Sequence, residues 1–167
     1  MIYAWIYDSP LGKLTLAEED GALVGLWMEG QKYFPEHLDA RWEKTPALAL
    51  TQRWLDRYFA GERPDCGQLP LNPRGTAFQR QVWALLREIP YGQTRSYADL
   101  GEKLAALRGI PRMSARAVGS AVGHNPISII IPCHRVLGAR GGLTGYAGGL
   151  ERKQWLLNWE KHPAQPS

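Results

Sequence analysis

"TRSYADLGEKLAALRGIPRMSARAVGSAVGHNP", Thr94 to Pro126, decides how this chain is read. Ser96 and Asp99 stand three residues apart at the head of an apolar pattern carried by Tyr97, Leu100 and Leu104. That spacing predicts a capped helix. Gly109 and Pro111 in "LRGIPRM" break the period, and Ser114 then opens a second short helix from Ala115 to about Val122. Two short helices joined by a glycine-containing turn form a helix-turn-helix candidate. The second helix is small on most sides, at Ala115, Ala117, Gly119, Ser120 and Ala121, and projects Arg116 from its first turn. Small residues permit close approach to another surface, and an arginine at a helix N-terminus suits a phosphate or base contact. Tight packing on a neighbouring helix is the other reading of the same residues.

Downstream, Ile127 to Ile131 reads as an extended, buried rod that ends at Pro132-Cys133-His134-Arg135. This stretch has three readings: a buried strand end with a filler cysteine, half of a metal site, or a nucleophile on a rigid platform. A free thiol with a pKa of roughly 8.5 is little ionised at neutral pH, so a nucleophile needs a base or a positive field. His134 is adjacent, but neighbours in an extended segment point to opposite faces. A contact then requires a bend after Pro132 or a bridging water. The histidine in turn needs an orienting carboxylate. The second half offers Glu88, Asp99, Glu102, Glu151 and Glu160, and spacing does not choose among them. Arg135 reads as structural. The glycine-rich "LGARGGLTGYAGG" permits close backbone approach but lacks the Lys-Ser/Thr of a phosphate-binding loop. A last helix carries Leu150, Trp155, Leu156 and Trp159, and the "PAQPS" tail reads as frayed.

Upstream, "TAFQRQVWALLREIP" begins with a capping-box pair, Thr76 and Gln79, and buries Phe78, Val82, Leu85 and Leu86. Residues 61–75 are rich in Gly and Pro without a period and mark the boundary between domains at 1–70 and 71–167. Ahead of them, "PALALTQRWLDRYFAG" places Trp54, Leu55, Tyr58 and Phe59 on one helical face. The first 30 residues alternate strands with turns at Ser9-Pro10, Gly12 and Asp20-Gly21, a hairpin pattern.

Charge divides the chain. Residues 1–70 hold seven Lys/Arg against eleven Asp/Glu, whereas residues 71–167 hold thirteen against five, and ten of those thirteen cations are Arg. Such a half suits a polyanion, nucleic acid above all, with a solvated basic surface as the alternative. The two cysteines, Cys66 and Cys133, are not a disulfide framework, and neither they nor the four histidines have metal-ligand spacing. No apolar run reaches membrane-spanning length, and the N-terminus lacks the pattern of a signal peptide. A cytoplasmic protein without metal is expected.

"HNPISIIIPCHRVLG" and "TGYAGGLERKQWLLNWE", with "GTAFQRQVWALLREIPYGQTRSYADL" and "ARAVGSAVG" upstream, closely resemble the O6-alkylguanine-DNA alkyltransferases, also called methylated-DNA–protein-cysteine methyltransferases. The resemblance is dense from about residue 70 to 160 and looser in "DSPLGKLTL" and "YFAG". It implies an α/β (α+β) protein: a ribonuclease-H-like sheet-plus-helix domain, then a mainly helical domain with a winged helix-turn-helix that enters the minor groove. It implies that Cys133 accepts the alkyl group, that His134 is a base acting through water, and that Glu160 orients it. Asn125 then ties the turns around the nucleophile. Tyr97 helps rotate the nucleotide out and hydrogen-bonds it, and Arg116 replaces it in the duplex. Val136 offers a carbonyl to the guanine amine, Tyr146 a pocket wall and Ala147 a backbone N–H. Ala115, Ala117, Gly119, Ser120 and Ser96 meet DNA. The implied partner is double-stranded DNA carrying O6-alkylguanine, and O4-alkylthymine as a second lesion is left open. The reaction is expected once per molecule, with no cofactor, by a monomer, and cooperative binding to DNA is left open.

The physics agrees. O6 lies inside the stack, so attack by sulfur needs the nucleotide flipped out, at a cost on the order of a few kcal/mol. The chain is about five residues longer than the family pattern through "EKLAALRGIPRM", and Ala147 replaces a serine of some members. Two other classes remain open from the residues: a binding module that recognises alkylated bases without transfer, and a cysteine hydrolase.

Overall fold

A computed structural model of the chain describes residues 1–161. The first three strands, β1 (Ile2–Ser9), β2 (Gly12–Glu19) and β3 (Ala22–Met28), form an antiparallel meander. Its second turn is Asp20-Gly21, both at positive φ (53° and 83°), the mirror-image turn that matches strand twist and that an Asp-Gly pair supports. A short fourth strand, β4 (Ala40–Trp42), lies parallel to β1 at the edge, giving the order β3-β2-β1-β4. The sequence pattern does not reveal β4: three residues, two of them exposed, carry no alternation.

Helix α1 (Pro46–Phe59) begins at Thr45, whose side chain accepts from the Leu48 N–H. It buries Leu48, Trp54, Leu55 and Tyr58 against the sheet. The following Gly/Pro segment is pinned rather than free. Leu23 N–H donates to the Pro70 carbonyl (2.9 Å) and Asn72 N–H to the Leu23 carbonyl (2.8 Å). The open edge of β3 thereby gains a partner.

The second half contains α2 (Ala77–Leu86), α3 (Tyr97–Arg108), α4 (Ala115–Gly123) and α5 (Leu150–Lys161). It also has a two-stranded parallel sheet of β5 (Arg95–Ser96) and β6 (Val136–Leu137). Both capping boxes form, Thr76 with Gln79 and Ser96 with Asp99. Of the long "EKLAALRGIPRM" stretch, the part up to Arg108 is helical. Gly109 closes α3 in the left-handed conformation (φ 66°), and the turn runs from there to Ser114, the N-cap of α4. In α4, Val118, Ala121 and Val122 are buried, and Trp83 of α2 donates its indole N–H to the Ala121 carbonyl (2.8 Å).

The expected extended rod at Ile127–Ile131 is not what forms. Ile127 alone pairs strand-like, bridging to Leu26 of β3, with Leu26 N–H on the Pro126 carbonyl (2.8 Å). The chain then folds into overlapping turns: Ile130 N–H reaches the Ser128 carbonyl and Ile131 N–H the Ile127 carbonyl. Ile129 sits at φ 72°, a costly setting for a β-branched residue. All four isoleucines are buried either way, so an apolar run cannot distinguish rod from loop. Helix α5 also departs from expectation: Leu150 is 48% exposed, while Lys153 and Glu160 are buried beside Leu156 and Leu157. His162 and the "PAQPS" tail lie outside the described residues. Among the described residues, no helix is long and apolar enough to cross a membrane.

Candidate active site

The site is built on the turns that follow β3's edge. Asn125, buried, donates through Nδ2 to the carbonyls of Ile127 (3.3 Å) and Ile131 (2.8 Å), and its Oδ1 accepts from Ile127 N–H (3.0 Å). One side-chain amide thus closes the loop and satisfies backbone groups that burial would otherwise leave unpaired. The loop delivers Pro132 into a 3₁₀ turn, Cys133–Arg135, packed against α5. Cys133 and His134 therefore sit on a turn, not on an extended segment, and the side-chain alternation expected of a strand does not apply.

His134 is fully buried. Its Nε2 lies 2.7 Å from Glu160 Oε2. Glu160 is the most connected side chain of the site. Oε2 also accepts from Tyr58 Oη (2.7 Å) and from an Arg135 NH2 group (3.0 Å), and Oε1 accepts from Arg135 Nε (2.7 Å). Burial alone would raise the Glu160 pKa, but His134 and Arg135 outweigh it and hold the carboxyl far below the usual carboxylate range. An ionised Glu160 can only accept, so Nε2 carries the proton of the imidazole. Burial lowers the His134 pKa, against the opposing pull of Glu160, which favours the neutral ring. Its Nδ1 is buried without a partner and presents a free lone pair. A neutral imidazole so held is a base.

Cys133 is 5% exposed and is not disulfide-bonded. Burial pushes its thiol pKa up, opposed by the nearby Asn125 amide and by the charge of Lys153. Lys153 is fully buried on α5, and its Nζ donates to the Thr144 carbonyl (2.8 Å). Burial lowers its pKa, with Cys133 opposing.

A cleft of about 540 Å³ opens beside α4. Tyr97 from the start of α3, Ala115, Gly119, Ser120 and Gly123 from α4, and Thr144–Ala147 from the glycine-rich loop line it. A Cβ added at Gly119 or Gly123 meets nothing within 4 Å, so the small face of α4 borders open space rather than a neighbouring helix. Arg116 is exposed on the first turn of α4, with Ala117 half-buried beside it. Ser96 stands at the junction of β5 and α3, and Val136 begins β6 directly after the 3₁₀ turn. Tyr146 lies in the cleft wall with its phenol pKa well above 10, raised chiefly by burial. The fold joins His134 to Glu160, uses Asn125 to tie the loop that precedes Cys133, and sets Tyr97, Tyr146, Ala147 and residues of α4 around the cleft.

Sequence reasoning missed Tyr58 and Lys153. Arg135, read as structural, grips both oxygens of the carboxylate that holds His134. Tyr58 reaches Glu160 across 102 residues of chain, helped by Trp159, whose indole donates to the Tyr58 carbonyl (3.0 Å). The buried cation at Lys153 had one available signal: it interrupts the apolar face of α5.

A helix-turn-helix pair with a buried thiol and a buried histidine–glutamate pair in the same half points to a class of DNA-binding, cysteine-bearing proteins. Residues 2–73 match the 6-O-methylguanine DNA methyltransferase ribonuclease-like domain and residues 77–162 match the DNA binding domain of the same proteins. The chain belongs to the 6-O-methylguanine DNA methyltransferase family. It is 49% identical to the methylated-DNA–protein-cysteine methyltransferase of Mycolicibacterium paratuberculosis, over 96% of this chain and 93% of that one. It is 42% identical to the constitutive methylated-DNA–protein-cysteine methyltransferase of Bacillus subtilis, over 96% of each. The crystal structure of Mycobacterium tuberculosis OGT in complex with DNA superposes with a TM-score of 0.82 at 45% identity, covering 97% of this chain and 94% of that one.

Proposed function

We propose that the chain repairs alkylated duplex DNA by moving the alkyl group from O6 of guanine onto Sγ of Cys133. It is a methylated-DNA–protein-cysteine methyltransferase that acts once per molecule. The observation that carries the residue assignment is the free, buried Nδ1 of a neutral His134 whose Nε2–H is committed to Glu160.

The thiol proton passes through a bridging water to Nδ1, and the imidazolium that forms is held by Glu160. Sulfur then attacks the alkyl carbon in line. The S–C bond forms, the C–O6 bond breaks, and its electron pair stays with the guanine, which takes up a proton. The product thioether has no water-labile bond, so the protein is consumed and no cofactor enters. Lys153 is a buried cation that favours the thiolate.

The base reaches Cys133 only when extrahelical. The small face of α4 suits close minor-groove approach, in a winged helix-turn-helix whose wing follows β6. Arg116 takes the place of the extruded nucleotide, and Tyr97 supports its rotation. Val136 carbonyl, Tyr146 and the Ala147 N–H receive the guanine. The protein works in the cytoplasm as a monomer.

The test is incubation with a duplex containing O6-methylguanine, followed by mass spectrometry. The tryptic peptide from Ala117 to Arg135 is expected to gain the mass of one CH2, and Cys133→Ser to abolish the gain while DNA binding persists. Binding by the unaltered chain without any mass gain would overturn transfer in favour of a recognition module.

A further inference from the structure

The lesion cleft has a wall that comes from the other domain. Lys32 and Tyr33, in the loop after β3, line it opposite the small face of α4. The loop is shaped from within: Gln31 is buried, its Oε1 accepts from Met28 N–H (2.7 Å), and its Nε2 donates to the Lys32 carbonyl (3.0 Å). It is also tied to the active-site loop, because Lys32 N–H donates to the Ala147 carbonyl (2.8 Å). Tyr33 holds a left-handed backbone (φ 64°), a costly setting that persists where the surroundings over-determine it. Here the tyrosine ring stacks on His124, at the C-terminal end of α4, with centroids 4.0 Å apart and planes at 23°.

Lys32 is exposed at this rim, 5.4 Å from the Tyr33 ring, and forms no ion pair among the described residues. It is a cation facing the cleft from a half of the chain in which acids outnumber bases. A strand of DNA that delivers a nucleotide between α4 and the Thr144–Ala147 loop must carry its phosphates past this rim.

We propose that the Gln31–Tyr33 loop is a DNA-binding wall of the lesion site. In it, the Lys32 ammonium contacts a phosphate adjoining the extrahelical nucleotide, and Tyr33, stacked on His124, positions it. This rests on the reading above that the cleft receives a flipped nucleotide.

The experiment compares the unaltered chain with Lys32→Gln, Lys32→Arg, Tyr33→Ala and Tyr33→Phe. Affinity for an O6-methylguanine duplex is measured across a salt series. Methyl transfer to Cys133 is timed with that duplex and with O6-methylguanine as the free base. Loss of one phosphate contact reduces the salt slope by about 0.9 and weakens binding about five-fold at roughly 0.15 M salt. Lys32→Gln and Tyr33→Ala are expected to lose this much on duplex and nothing on the free base, while Lys32→Arg and Tyr33→Phe retain it. An unchanged slope, or equal slowing on duplex and free base, would overturn the proposal. Failure of the unaltered chain to transfer from either substrate would instead defeat the reading on which the proposal rests.

Discussion

His134 Nε2 lies 2.7 Å from Glu160 Oε2, wholly inside the protein, while the other ring nitrogen has no partner. That asymmetry fixes the tautomer and leaves a single basic atom. Glu160→Gln removes the charge that selects this tautomer and leaves Arg135 facing a neutral group. Methyl transfer is expected to slow by about 10²–10⁴-fold, measured as single-turnover rate on O6-methylguanine duplex. Stability is expected to drop by about 3–5 kcal/mol, the cost of breaking a buried ion pair, read from denaturant unfolding. An unchanged rate in folded protein would remove Glu160 from the relay.

The same pair sets a pH window. The unfolded chain takes up a proton on His134 near pH 6.5, whereas burial lowers the folded value. The unfolded state therefore binds more protons as pH falls below 6.5, so this contribution to stability is full above that pH and is lost as pH falls toward the folded value. Glu160, held low in the fold, acts with the same sign at more acidic pH. Protonation also removes the lone pair of Nδ1. Melting temperature is expected to hold between about pH 7 and 8 and to fall below about pH 6.5, while the transfer rate falls only at lower pH, where the folded His134 takes up its proton. A rate that rises on acidification would count against His134 as base.

Gly119 separates folding from recognition. A methyl group there meets nothing within 4 Å. Gly119→Ala is expected to stabilise the helix by about 0.5–1 kcal/mol, and Gly119→Leu to fold as well. Both are expected to weaken binding to duplex DNA, Leu more than Ala. If Leu at this position binds duplex as tightly as glycine, α4 does not approach DNA by this face.

Arg116 is exposed, on the first turn of α4 and outside the Glu160 network. Arg116→Ala is expected to change stability by no more than about 0.5 kcal/mol. It is expected to slow repair of duplex far more than transfer from the free base. Equal slowing of the two reactions would deny it a role in displacing the nucleotide.

Much of the fold was legible because its signals are local. Asp20-Gly21 and the Thr76/Gln79 and Ser96/Asp99 pairs act on backbone groups within a few residues of themselves, so spacing alone reports them. The short strand β4 was not, since its order comes from pairing with β1 and not from its own residues. The Ile127–Ile131 run misled for the opposite reason. Its burial was evident, but the Asn125 amide that curls it is a feature of one geometry, which hydrophobicity does not encode.

The sequence by itself determined the two-part chain, the basic helix-turn-helix half and the adjacency of a thiol and an imidazole at Cys133-His134. Tertiary structure alone decided that Tyr58 and Arg135 share Glu160 with His134, that Lys153 is buried near the thiol, and that Lys32 and Tyr33 face the cleft. Periodicity and capping are written by neighbours along the chain. The charge and tautomer of a buried site depend on which distant groups packing brings within hydrogen-bond reach, and no spacing carries that information.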